Sequence, residues 1–494
     1  MALHSLQFVI MRGSSSPVGG WRSVQMDDGW WVHCCSALPA TLASTADGKR
    51  ALLLGWAFQL AAGRRSPEEQ LAALASSDLP GRYRSWTGRW VLIAGGGVHG
   101  DATCSIPIFF GGGVVSSSLS LVRELTGAEW KRHNQVFYHF GPNWCPAPAT
   151  PLAGIARLLP SQVLSLAGFH VEHRPLMDRI SEGDPSASFR EALVKGMDRL
   201  RGWPAPVFLA LTGGFDSRTV LACAHAAGLR PTTYTQEHPR LSPGDRELPP
   251  QLARELGLLH AFIPPRARSP EKEAVFDKHT MAQCIDADRG FYAHGQWDLF
   301  PPGSLVLRGL CFEFGRAPFY RMIPSEFDPC RPEAAERLHG ILYHPLNRIS
   351  GTLVEKARRR QPLITEGLRE YLSWAGSHPE PGLDFRDQFH LEQRPGCWVG
   401  TTEQGLDVTE TVRISVGNSH RVLSLMNQAS PSERRAGAYQ KAAIAAMAPA
   451  LASFPINPVS RWARMRGKAT RNARRAVRVV RFLAGEPTQP HAIS

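Results

Sequence analysis

One stretch, "VFLALTGGFDSR" (207–218), constrains this chain more than any other. An apolar run ends on a Thr and two glycines. A helical pattern, "TVLACAHAAG", follows at once and stops at Gly228. A strand that turns directly into a helix through glycines is the βα turn of a parallel sheet. The next residues repeat the plan: a strand "PTTYTQEH", a loop "PRLSPGD", a helix "RELPPQLARELG" ending at Gly257, and a strand "LHAFIP". Strand, helix, strand, helix, strand predicts right-handed crossovers. Upstream, Phe189, Leu193, Met197 and Leu200 mark one helix face. Past residue 330, long helical segments dominate, as in "PEAAERLHGILYHPLN" and "RRAGAYQKAAIAAMAPALASF".

The first 180 or so residues read as short strands cut by Gly and Pro, as in "RALLLGWAFQL" and "GRWVLIAGGGVHG". The GGG stretches at 95–97 and 111–113 lie between strand-like runs, so hairpin turns are expected rather than phosphate loops. The polar "DRISEGDPSAS" divides the two characters. A chain of 494 residues is long enough for two or three domains, and 43% apolar residues supply their cores. No apolar run approaches a membrane span, and no secretory signal opens the sequence. The nine Cys form no CxxC pair and suggest neither disulfides nor zinc, so a reduced cytoplasmic location is expected.

The net charge of +13 is uneven: residues 460–483 hold nine Lys or Arg and no acid. On a helix, Trp462, Met465, Ala469, Ala473, Ala476, Val480 and Leu483 share one face. The preferred reading is a packed C-terminal helix with a solvated basic back. An acidic partner, a membrane surface and a nucleic acid are the other readings, and no strong nucleic-acid or membrane signal accompanies the helix.

Ligands of open parallel sheets bind beyond the carboxyl ends of the strands. Gly213 and Gly214 allow close approach of an anion there, the helix start offers free N–H groups, and Thr212 and Ser217 add hydroxyls. Asp216 would repel phosphate unless it held Mg2+ bridging the phosphates. The alternative is a plain βα turn with Asp216 as helix N-cap.

[ST]-G-G-x-D-S-x after an apolar strand resembles the pyrophosphate loop of ATP pyrophosphatases. Among them the chain resembles the asparagine synthetase family, including β-lactam synthetases and lasso-peptide macrolactam cyclases. Residues 233–263 are similar to the family's second strand and its helix ending in LGxxH, which places Asp245, Gly257 and His260 on family positions. His260 reads equally as a strand-edge residue. "VLRGLCFEFGRAPFY" (306–320) stands in place of the LSGxGxDExxxGY loop, and "AYQKAAIAAMAPAL" (438–451) resembles the catalytic-lysine segment, making Lys441 that residue. The resemblance is specific at the glycine turn, moderate at 233–263 and weak elsewhere.

The resemblance implies a degenerate Ntn-hydrolase-like α+β sandwich at 1–182 and an α/β ATP-pyrophosphatase domain with a parallel sheet and helical C-terminal part at 183–459. A basic helix and tail follow at 460–494. It implies ATP and Mg2+, with Thr212, Gly213, Gly214 and Ser217 on pyrophosphate and Asp216 and Glu313 on the metal. Backbone at Leu211 and Thr235 would flank adenine and ribose. Lys441 would stabilise the transition state, or is a solvated helix lysine. Arg308 and Arg316 would hold phosphate or acid substrate, or pair with Glu313. Glu392 would deprotonate the attacking amine, or pair structurally with Arg394. "FPINP" (454–458) reads as a structural turn.

The family's working glutaminase needs a Cys after the initiator Met; Ala2 stands there. The expected activity is therefore ATP-dependent, AMP-forming amide ligation without glutamine, closing an amide within one small-molecule or peptide substrate. Expected partners are a precursor peptide and its leader-processing protease. Amidation with free ammonia or another small amine, and a catalytically silent scaffold, are the alternatives.

Overall fold

The computed structural model describes residues 3–486 apart from 62, 76–77, 132–136, 138–140, 181–182, 344–349, 458–472, 474–475 and 478. Its N-terminal part is built from two six-stranded antiparallel sheets. One runs in the order Ala156–Arg157, Phe109–Gly111, Val114–Ser116, Phe8–Arg12, Trp30–Cys34, Arg22–Gln25. The other runs His170–His173, Gln162–Ser165, Gly97–Gly100, Trp86–Ala94, Arg50–Gln59, Ala40–Ser44. Phe8, Ile10, Val32, Leu52, Leu54, Val91 and Ile93 fill the space between them. Strand residues alternate faces, so Trp90 and Leu92 point the other way and meet Leu71, Leu79 and Tyr83. This double burial explains why Trp86–Ala94 reads as an unbroken apolar run.

Both GGG stretches are hairpins, as expected. Gly95 and Gly96 join Ala94 to its partner Gly97, and Gly112 and Gly113 join Gly111 to Val114. All four linking glycines have positive φ, from 57° to 77°, the conformation that a two-residue turn between twisted strands demands.

The C-terminal part carries a five-stranded, wholly parallel sheet. Its order is His260–Ile263, Thr232–Gln236, Val207–Ala210, Leu305–Leu307, Val412–Ile414. The strand order reverses between Val207–Ala210 and Leu305–Leu307, and that switch point is where a crevice opens beyond the strand ends. Two helix boundaries differ from the sequence pattern. The expected loop "PRLSPGD" ends early, because Ser242 caps a helix that already starts at Pro243. The expected single helix near 434–454 is broken at Gly437 (φ 68°) and again at Ala448.

The C-terminal basic helix lies largely outside the described residues. In its described part the packing face is not the expected stripe. Val480 and Leu483 are exposed, whereas Phe482 is buried against Tyr343, Val354 and Ala357. The inward side of this end is thus set by the apolar pocket that receives the phenyl ring.

A buried chain of charges links the two parts. Asp407 takes a fork from Arg89 (2.7 and 2.9 Å) and a 2.8 Å bond from Gln7. Arg413 bridges Asp407 and Glu403, and Arg308 bridges Glu403 (3.1 Å) and Asp288 (2.7 Å). Arg89 lies on an N-terminal strand, while Arg413 and Arg308 belong to the parallel sheet's edge and its switch point. Replacing Asp407 by Ala leaves Arg89 and Arg413 buried without their shared counter-charge. The expected loss is about 3–5 kcal/mol, measured as a lowered midpoint in chemical denaturation.

Candidate functional site

The glycine turn lies at the C-terminal end of the strand Val207–Ala210, on the switch point. The helix Phe215–Ala226 starts from Gly214 with no side chain capping it. Its first N–H groups are therefore left for a ligand. Asp216 is not the cap; it sits inside the first turn. Ser217 Oγ instead closes the turn, accepting from Thr212 N (3.0 Å) and lying 2.9 Å from Thr212 Oγ1.

Three other segments hold the turn in shape. Asp245 Oδ1 accepts from Gly213 N at 2.9 Å, and its other oxygen accepts from Ser242 Oγ at 2.7 Å. Asn457 N donates to Gly213 O at 3.0 Å. Arg218, fully buried, donates to the carbonyls of Phe454 (2.7 Å) and Pro455 (2.8 Å) and reaches Gly213 O at 3.3 Å. Residues 454–457 of "FPINP" thus border the turn itself, and residue 458 lies outside the described residues. A Cβ on Gly214 would lie 3.4 Å from Thr212 Oγ1 and 3.5 Å from Asn457 Oδ1, ordinary contact distances, so these two side chains flank the turn.

Phe215 faces the helix Ala438–Met447. Its ring lies 3.1 Å from where a Cβ on Gly437 would stand, and Lys441 Nζ sits 5.5 Å from the ring centroid. Lys441 is exposed and has no ion pair among the described residues. Phe215 therefore seats the lysine helix against the glycine turn.

The loop after Leu305–Leu307 crosses Asp216. Gly309 makes this possible, since a Cβ there would lie 3.2 Å from the backbone and Cβ of Asp216. Arg316 Nη2 stands between the two expected metal ligands, 2.8 Å from Asp216 Oδ2 and 3.7 Å from Glu313 Oε1. Glu313 also meets Arg394 Nη2 at 3.6 Å. The Arg394 guanidinium lies 3.5 Å from the Trp398 ring centroid. Burial, opposed by Arg316 and reinforced by Glu313, pushes Asp216 up to about 6. Burial also raises Glu313, but Arg394, His390 and Arg316 outweigh it and hold its carboxyl below the usual range.

The residues present fit a divalent cation. Asp216 Oδ1 is a buried oxygen without a hydrogen-bond partner, and Glu313 brings a second carboxylate to the same guanidinium nitrogen. Among the described residues no group of three or more His, Cys, Asp or Glu is arranged to hold a metal. Phosphate oxygens would have to complete the coordination.

Two expected residues are placed elsewhere. Arg308 is spent on Asp288 and Glu403, inside the charge chain, and is not free for substrate. Glu392 is fully buried. It accepts from Ser161 Oγ and from Tyr371 OH (2.9 Å), so it is neither open to an amine nor paired with Arg394. The remaining expected residues line the strand ends. Leu211 N donates to Tyr234 O, and Leu211 O accepts from Thr235 Oγ1, both at 2.8 Å. His260 Nδ1 lies 2.9 Å from Thr233 Oγ1, and burial lowers the ring to about 4, which suits a neutral strand-edge residue.

The roles of Arg218, Arg394 and Asn457 escaped the sequence reading. An arginine inside the apolar pattern "SRTVLACA" was the available signal for the first. Arg394 opens a π-helical turn, Arg394–Val399, in which Pro395 cannot donate an N–H; such turns recur at functional sites.

No family model matches the chain, and no curated protein matches it. Among solved structures, the NMN synthetase from Francisella tularensis aligns with 40% of this chain and 96% of its own. That alignment has 13% identity and a TM-score of 0.21. Among the described residues no helix is long and apolar enough to cross a membrane.

Burial raises Glu392 from 4.5 to about 7, against the hydrogen bonds from Ser161 and Tyr371. The folded state therefore holds this proton more tightly than the unfolded chain. The stability it contributes is complete below the unfolded value and lost as pH rises through about 7. Glu392→Gln should remove this dependence. The stability difference between wild type and variant should change by up to about 3 kcal/mol between about pH 5 and about pH 8, read from urea midpoints.

Proposed function

We propose that this chain is an ATP-dependent amide ligase. It adenylates a carboxylate, releases pyrophosphate, and forms an amide with loss of AMP, without hydrolysing glutamine. The uncapped helix start at the switch point, with Asp216 and Glu313 sharing one cation position beside it, carries the reading.

The chemistry requires it in this form. A carboxylate does not condense with an amine at neutral pH, because oxide is a poor leaving group. A carboxylate oxygen attacks the α-phosphorus of ATP, and the bond to pyrophosphate breaks. The amine nitrogen then attacks the acyl carbon, AMP leaves with the bonding pair, and the amine loses its proton to solvent. The N–H groups at Phe215–Ser217, with Thr212 and Ser217, bind the pyrophosphate portion. Mg2+, when bound by Asp216 and Glu313, supplies neutralising charge to the phosphates. Lys441, seated by Phe215, stabilises charge that develops at phosphorus and at the acyl oxygen.

In this reading the sandwich (1–182) is a degenerate glutaminase-like, Ntn-type domain, 183–459 is the ATP-pyrophosphatase domain, and 460–494 is an appended basic helix. Helices cover both outer faces of the paired sheets, which supports that layering. Its cysteines also support the loss of glutaminase chemistry. Cys34, Cys35, Cys104 and Cys145 are all buried, and burial pushes the Cys104 thiol up to about 12, so it is not a thiolate nucleophile. The amine then comes from the substrate itself, as in a macrolactam or β-lactam closure. A precursor peptide and its processing protease are the matching partners.

The test is exchange of radiolabelled pyrophosphate into ATP, and AMP release, across a panel of amino-carboxylate and peptide substrates. Asp216→Ala should lower exchange by about 100-fold or more, and Lys441→Met should lower kcat by about 100-fold at little change in ATP KM. Wild-type protein that binds no Mg·ATP, with Asp216→Ala no different, would sink the reading.

A further inference from the structure

Asp216, Arg316, Glu313 and Arg394 form a line of alternating charge across the switch point. The two ends of this line are unlike. Arg394 is braced on the Trp398 ring and is only a quarter exposed. Arg316 is 43% exposed, and among the described residues no aromatic ring is stacked on it. Ala317, the next residue, is buried at φ 44° between two short 3-10 turns.

Two carboxylates and two guanidiniums balance in charge. If Arg316 left alone, Asp216 would stay partly buried with Oδ1 already unpartnered and Oδ2 newly so. An unpaired carboxylate in that position is costly. Glu313 would keep Arg394. Arg316 therefore leaves at least cost when another cation arrives at Asp216 and an anion stands nearby to receive the guanidinium. The uncapped helix start provides a place for that anion, since Asp216 lies in its first turn.

We propose that Arg316 is the resident counter-ion of this carboxylate pair, and that it passes to the phosphates of the nucleotide as the divalent cation takes its place. This rests on the ligase reading above and adds the order of events to it. Metal alone competes with Arg316 and binds poorly. Metal with nucleotide gives both carboxylate and guanidinium a partner, so the two bind cooperatively.

The probes are Mn2+ alone, followed by electron paramagnetic resonance, and the Mg2+ complex of a non-hydrolysable α,β-methylene ATP, followed by calorimetry. Arg316→Met keeps the side-chain length and removes the charge. In the variant, Mn2+ alone should bind about tenfold tighter, and the Mg·nucleotide about tenfold weaker, than in wild type. Arg316→Lys should recover part of the nucleotide affinity. Wild type that binds the Mg·nucleotide, with both constants in Arg316→Met within about twofold of it, would overturn the proposal and leave the ligase reading standing. Tighter Mn2+ with unchanged nucleotide affinity would overturn the transfer to phosphate. Wild type that binds no Mg·nucleotide would overturn the ligase reading, and unchanged Mn2+ affinity in the same variant would then overturn the counter-ion role separately.

Discussion

The buried alternation Arg89–Asp407–Arg413–Glu403–Arg308–Asp288 is the constraint on which the arrangement of this molecule rests. Each of the inner members has counter-charge on two sides, which offsets the cost of taking it out of water. Its arginines come from an antiparallel strand, the edge strand of the parallel sheet and the residue that follows its switch-point strand, and its carboxylates from the helices Ala287–Ala293 and Gly400–Leu406 and the short turn Asp407–Thr409. Neutral hydrogen bonds run beside it. Thr87 Oγ1 donates to Val416 O (2.9 Å), and Asn418 Nδ2 donates to Gly88 O (2.7 Å). Such contacts fix orientation as well as proximity, since a slipped register would leave several charges unpaired at once.

That fixed seam has a consequence at the crevice. Arg308 is drawn into the interior, and the loop beyond it must cross Asp216 through Gly309. The crossing carries Glu313 and Arg316 to the glycine turn. On the opposite side Arg218 and Asn457 bind the turn to the segment after the lysine helix, and Asp245 holds it from the neighbouring helix. The turn is thus braced from several parts of the chain, as a preorganised anion site requires.

Much of the local structure was legible. The glycine turn, the parallel order of the strands after it and both Gly-Gly hairpins follow from periodicity and from φ requirements that act within a few residues. The partners of charged side chains were not legible. Arg308 and Arg316 lie eight positions apart on one loop and read alike, yet one is locked into the seam and the other faces the crevice. Glu392 and Arg394 are two apart and suggest a pair. The helix around Glu392 turns it toward Ser161 and Tyr371, and the wider turn at Pro395 sends Arg394 toward Glu313 instead. At the described end of the C-terminal helix the apolar stripe differs for the same reason, because Phe482 finds a pocket that periodicity does not describe.

By itself, then, the sequence determined that glycines would turn a buried strand directly into a helix, with an acid at or near the helix start. Glycine conformations, strand periodicity and the lack of a capping side chain at Gly214 are properties of neighbouring residues. Only the tertiary structure decided what faces that turn. Arg316 between two carboxylates, Phe215 beneath the lysine helix and Asn457 over Gly213 come from segments roughly 100 to 240 positions distant in sequence. Long-range pairing is set by packing of whole elements, and no local pattern encodes it.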